Sequence, residues 1–174
     1  MKRNIINMLA VFVLLLACTV GFAGCGKKAD TPVELKPEDF VGTWYVESVV
    51  DVQDGVTAPA QTYARLMELH NKADKTSAEI EEYDDLRIDC IYMFDVQSNG
   101  NLRHKDYFAE EEDYSESSGT WGIEDNKLTA TITMFPANSK VSVDYKDGKI
   151  TIVCSWTMSP HSYVRTIVLA KLAA

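Results

Sequence analysis

The sequence is short of positive charge, histidine, glycine and proline, and each shortage removes a class of protein. Only 17 Lys and Arg face 26 Asp and Glu, so the 174-residue chain carries −9 at neutral pH. Such a field repels phosphate backbones, and no nucleic-acid partner is expected. The three histidines, His70, His104 and His161, stand apart from one another and from any Cys at ligand spacing. Neither a metal nor another cofactor is expected. There is no glycine-rich phosphate loop and no serine elbow, and with no visible nucleophile or acid/base pair the chain reads as a non-enzyme. Five prolines and nine glycines without a period, beside 46% hydrophobic residues, exclude collagen and disorder and leave one globular domain with a real core.

The one long hydrophobic run lies at the start. Lys2 and Arg3 precede an apolar stretch from Ile5 to Phe22, and Ala23, Gly24 and Cys25 close it with small residues beside a cysteine. This order reads as an export signal and resembles the lipobox of bacterial lipoproteins. The resemblance implies cleavage before Cys25 and a thioether-linked diacylglycerol on it, with acyl chains such as palmitate. Leu15 to Cys18 offers a competing site, and the run approaches the length of an uncleaved membrane span. Either reading puts the rest of the chain outside the cytoplasm, tethered to the cell membrane. Residues 1–24 are then a signal peptide, 25–39 a lipidated tether holding Pro32 and Pro37, and 40–174 the folded domain.

From Phe40 onward the dominant signal is alternation with period two in short runs. Eight runs are visible: Thr43 to Val50, Ile88 to Val96, Leu102 to Phe108, Ser118 to Glu124, Leu128 to Met134, Val141 to Tyr145, Lys149 to Met158 and Tyr163 to Leu172. Tight-turn pairs at Asn99-Gly100, Asp125-Asn126 and Asp147-Gly148 alternate with longer links, one of them residues 51 to 86. This regularity predicts an all-β, eight-stranded antiparallel up-and-down barrel with one end closed by tight turns and an open rim. A two-sheet sandwich is the rival architecture. The long first link predicts two helices inserted after the first strand. Pro59 suits a first turn, with Tyr63, Leu66, Met67 and His70 on one face, and Thr76 with Glu79 forms a capping box ahead of Ile80 and Tyr83.

Phe40-Val41-Gly42-Thr43-Trp44 at the start of the first strand resembles the Gly-x-Trp signature of lipocalins, and Gly119-Thr120-Trp121 repeats it. Val143-Asp144-Tyr145 keeps part of a second lipocalin pattern, and Lys171 stands nearest the family's late Arg, close enough to lie over the indole. The resemblance, to lipocalin-like domains of bacterial surface lipoproteins, covers residues 40 to 172 and implies that Trp44 seals the narrow end.

On that frame the expected function is binding of a small apolar or amphipathic ligand in the barrel. Its pocket would be bordered by Val50, Ile88, Cys90, Tyr92, Met134, Trp156 and Met158, with Tyr63, Leu66 and Met67 over it. The alternative is a solid barrel acting as a protein-interaction module of the cell envelope, since six inward aromatics can equally fill the interior. Cys90 and Cys154 both point inward, either as free thiols or as a disulfide. Glu110, Glu111, Glu112, Asp113 and Glu116 form an acidic loop at the open rim, either solvated or, without the spacing of an EF-hand, a calcium site.

Overall fold

A computed structural model describes residues 34–106, 108, 114 and 118–172. The expected signal segment, Cys25 and the acidic residues Glu110 to Asp113 and Glu116 lie outside the described residues. Leu35–Ala174 forms one compact unit, so the fold takes in residues ahead of Phe40. Its elements are α1 (Pro37–Phe40), β1 (Gly42–Gln53), β2 (Val56–Thr57), β3 (Gln61–Thr62), α2 (Tyr63–Asn71), α3 (Ser77–Cys90) and β4 (Tyr92–Val96). There follow β5 (Asn101–Asp106), β6 (Gly119–Glu124), β7 (Lys127–Ile132), β8 (Lys140–Lys146), β9 (Lys149–Met158) and β10 (His161–Lys171).

The long strands run in the order β7-β6-β5-β4-β1-β10-β9-β8, every pair antiparallel. Because the first strand pairs with the last, the meander wraps into a nearly closed eight-strand barrel. Only β7 and β8 lie side by side without a shared ladder. The period-two alternation has a direct outcome here: along β9, Ile150, Ile152 and Cys154 are buried between more exposed neighbours.

The three recognised tight turns all fall at one end. Asp125 with Asn126 and Asp147 with Gly148 take the positive φ that a two-residue hairpin needs, and Gly100 does so at the third turn. Both Gly-x-Trp motifs close this end in the same way. Gly42 and Gly119 have φ of 127° and 146°, and the two indoles donate to backbone carbonyls, Trp44 Nε1 to Phe40 O at 2.7 Å and Trp121 Nε1 to Gln97 O at 2.8 Å. Phe40 is fully buried against Trp121 and Tyr145. Lys171 Nζ lies 5.7 Å from the Trp44 ring and donates to Asp39 O at 3.0 Å.

Several local expectations give way. In β1 the register slips between Val46 and Ser48, an irregularity that reverses the phase. Val49 is therefore buried in the core and Val50 belongs to the outer face. The run read as a strand from Ile88 is helical as far as Cys90, because the Thr76–Glu79 capping box starts a helix that Leu86 and Cys90 anchor with an i, i+4 pair of buried side chains. Ile88, on another side of that helix, is 67% exposed. The first helix begins at Tyr63 rather than near Pro59, since Gln61 and Thr62 pair with β1 and the Thr62 hydroxyl accepts from Arg65 N. The helices thus follow two short strands, β2 and β3, instead of leaving β1 directly. Finally, the Ser159–Pro160 link is a two-residue turn between paired Met158 and His161, and Asp54-Gly55, with φ of 51° and 80°, turns β1 into β2. Tight turns therefore occur at both ends of the barrel.

Candidate functional site

Among the described residues, two spaces bear on what the barrel can hold. Inside, Phe40, Phe94, Trp121, Leu128, Ile152 and Leu169 surround a void of only about 30 Å³. That is one water's share of liquid volume, far below the several hundred Å³ of a small-molecule site. The aromatic and branched side chains fill the lumen. Toward the other end, Leu66, Leu69, Leu86 and Cys90 of α2 and α3 belong to the same buried core.

The second space lies where β1, β9 and β10, the longest strands, run on beyond the packed core. Their inward-facing residues there form a groove of about 630 Å³ lined by Asp51, Gln53, Val56, Trp156, Tyr163 and Arg165, among others. Strand pairing sets its composition. Gln53 lies opposite Tyr163, and Tyr163 opposite Trp156, so the alternation that buries Val49, Ile167 and Ile152 lower down brings two aromatics together at the rim. The Trp156 and Tyr163 rings stack with centroids 5.4 Å apart and planes 9° apart.

One step further in, a charged cluster forms the floor. Arg165 donates through Nε and Nη2 to both Asp51 oxygens at 2.8 and 2.7 Å, and its Nη1 lies 2.7 Å from Asp89 Oδ1. Asp89 is the more buried carboxylate of the two. Burial raises its pKa, opposed by the Arg165 charge; the hydrogen bonds to Asp51 first, and then the Asp89 charge, raise that of Arg165 against its own burial. At the tip, Asp54 accepts from Ser162 N at 2.8 Å and lies 2.6 Å from His161 Nδ1, which together hold its carboxyl below the usual range. The charged groups at the groove have therefore already found one another.

A scan of protein-family models and searches of curated proteins and of solved structures find no match. The site is consequently read from its own geometry.

Of the residues expected to border a pocket, Trp156 alone is a wall of this groove. Leu66 and Cys90 are buried in the core, Tyr63 and Tyr92 pack partly against it, and Tyr63 also meets Tyr45 at 4.8 Å. Met67 is half-buried on α2, Val50 faces outward, and Ile88, Met134 and Met158 are exposed. The groove residues missed in the sequence are Asp51, Gln53, Tyr163 and Arg165. An available signal was Asp54-Gly55, a hairpin pair that ends β1 late and carries its alternation out to the rim.

Elsewhere, Cys90 and Cys154 are free and buried, and burial pushes the Cys90 thiol up to about 12. His104 Nδ1 meets the Ser118 hydroxyl, and burial lowers the pKa of that imidazole. Neither residue lines the groove. Among the described residues no group of three or more His, Cys, Asp or Glu could hold a metal ion, and no helix is long and apolar enough to cross a membrane.

Proposed function

We propose that this chain is a lipid-anchored, extracytoplasmic lipoprotein with a lipocalin-like barrel that binds a small amphipathic ligand at its open rim. The support for the anchor is the small-residue approach to Cys25 after a basic and apolar start. The support for a lipocalin-like build is Gly42-x-Trp44 at the closed end with Lys171 over the indole.

The observation that carries the binding reading is the state of the third tryptophan. Trp44 and Trp121 have their indole N–H groups bonded to carbonyls, whereas among the described residues Trp156 Nε1 has no partner and its ring stands in a 630 Å³ groove. A large half-buried aromatic with an unused donor is what a site for an amphipathic molecule presents. Burial of ligand surface there contributes roughly 25 cal/mol per Å² before ordering costs. The ligand sits at the rim because the lumen is full.

The full lumen also favours the second reading, a solid barrel serving as a protein-interaction module of the envelope. A screen of amphipathic compounds by tryptophan fluorescence on the full chain separates the two. Ligand binding gives a quench or blue shift that Trp156→Ala abolishes; a screen without any response, together with a protein captured through the rim, favours the interaction module.

A further inference from the structure

The point at which the chain enters the barrel bears on which end faces the membrane. We infer that the domain stands with its closed end toward the lipid surface, so that the Trp156–Tyr163 groove opens away from the bilayer and takes its ligand from the aqueous side. This deepens the proposed function and rests on both the lipid anchor and the rim site.

The entry point is pinned. Leu35 N donates to Oδ1 of Asn126, in the β6–β7 turn, at 2.7 Å, and the Leu35 side chain packs against the core. From there α1 crosses the closed end, where Asp39 O accepts from Lys171 Nζ and Phe40 O accepts from Trp44 Nε1. At the other terminus of the described fold, Leu172 N donates to Thr43 O at 2.8 Å. Both ends of the folded unit therefore lie at the end opposite the groove.

Chain length then sets the posture. The 12 residues of β1 rise about 3.3 Å each along a strand tilted by roughly 35–45°, which places Gln53 about 25–30 Å above Gly42 along the barrel axis. Cys25 precedes Leu35 by ten residues, a link that spans at most about 33–36 Å when fully extended. A domain lying rim-down would hold Leu35 a barrel height above the headgroups and stretch that link close to its limit, at the cost of its conformational freedom. With the closed end down, no such stretching is needed.

The charges agree with this posture. Helix α3, which reaches the groove floor through Asp89, carries Glu81, Asp84 and Asp85, none of them in an ion pair among the described residues. At the closed end the exposed Lys36, Lys127 and Lys146 are interspersed with Glu38, Glu124 and Asp147. An anionic lipid surface repels the first region more than the second.

The test uses the acylated full chain in zwitterionic lipid nanodiscs, with the three tryptophan indole N–H resonances followed by nuclear magnetic resonance and assigned with the help of Trp156→Phe. Lipid carrying a gadolinium chelate on its headgroup should broaden the Trp44 and Trp121 signals severalfold more than that of Trp156. A soluble gadolinium chelate should broaden Trp156 in the same particles. Broadening of Trp156 by the headgroup chelate equal to or greater than that of the other two, or protection of Trp156 from the soluble chelate, would overturn the orientation and leave the anchor standing. An unacylated Cys25 in the mass spectrum, with a chain that does not co-purify with the nanodiscs, would overturn the anchor and the orientation together.

Discussion

The two ends of the barrel use the same residue for opposite purposes. At the closed end two tryptophans follow positive-φ glycines, hand their N–H groups to backbone carbonyls, and lie under Phe40 or Lys171. At the open rim the third tryptophan is stacked on a tyrosine, half-buried, with its donor unused. An indole whose N–H is bonded to a backbone carbonyl is a packing element; a half-exposed one whose N–H has no protein partner is available to a ligand. The contrast teaches that an inward-facing aromatic in a barrel is judged by the partner of its polar atom, because direction alone is the same in all three.

The largest expected effect lies at the closed end. Trp44→Ala removes a fully buried ring and leaves the Phe40 carbonyl without its donor, and should cost about 3–5 kcal/mol. Trp156→Ala should cost about 1–2 kcal/mol, since its site is open and can rehydrate. Chemical denaturation of both variants measures the gap, and equal losses would erase the distinction between the ends.

Next in size is the charged floor of the groove. Arg165→Ala leaves Asp51 and the more buried Asp89 facing each other without a cation, and a loss of about 1–3 kcal/mol is expected after allowance for partial exposure. Asp89→Asn sharpens the point through pH. Burial raises the folded-state pKa of Asp89 above its unfolded value, so between those two values the folded protein binds more protons than the unfolded one. Its contribution is therefore most favourable in acid and declines as pH rises through the folded value. The opposite slope belongs to Glu79, pulled down to about 2 by Lys72 and the Thr76 cap, whose stabilisation is present above the ordinary carboxylate range and is lost as pH falls toward that value. Thermal melts of wild type and Asp89→Asn from pH 3 to 7 should thus differ by a term that grows less favourable to wild type with rising pH. A pH-independent difference would contradict the burial of Asp89.

A smaller effect concerns the thiols. Cys90 and Cys154 should resist an alkylating reagent at pH 8 in the native protein and both react after denaturation. Native labelling of Cys154 would mean that the barrel opens readily.

Most of the barrel was legible because its strands bury one face and so alternate cleanly, and because Asn-Gly and Asp-Gly pairs need positive φ wherever they occur. The closed end was legible for the same reason, through Gly42 and Trp44. What escaped the sequence was phase. One irregularity near Glu47 exchanged Val49 for Val50, and a helix whose last turn carries Ile88 and Cys90 two apart imitated a strand. The groove was hidden for a related reason: Tyr163 and Arg165 precede the doubly apolar stretch around Ile167, and their inward direction follows only from the cross-strand register with Trp156 and Asp51. No single strand contains that information.

The central claim is a solid lumen beneath an open aromatic rim, and solvent access to the three tryptophans tests it most directly. With 5-fluorotryptophan incorporated into the full chain, a soluble nitroxide should broaden the fluorine resonance of Trp156 while leaving that of the fully buried Trp44 sharp. Equal broadening of Trp44 and Trp156 would mean that the lumen is accessible and would contradict the account.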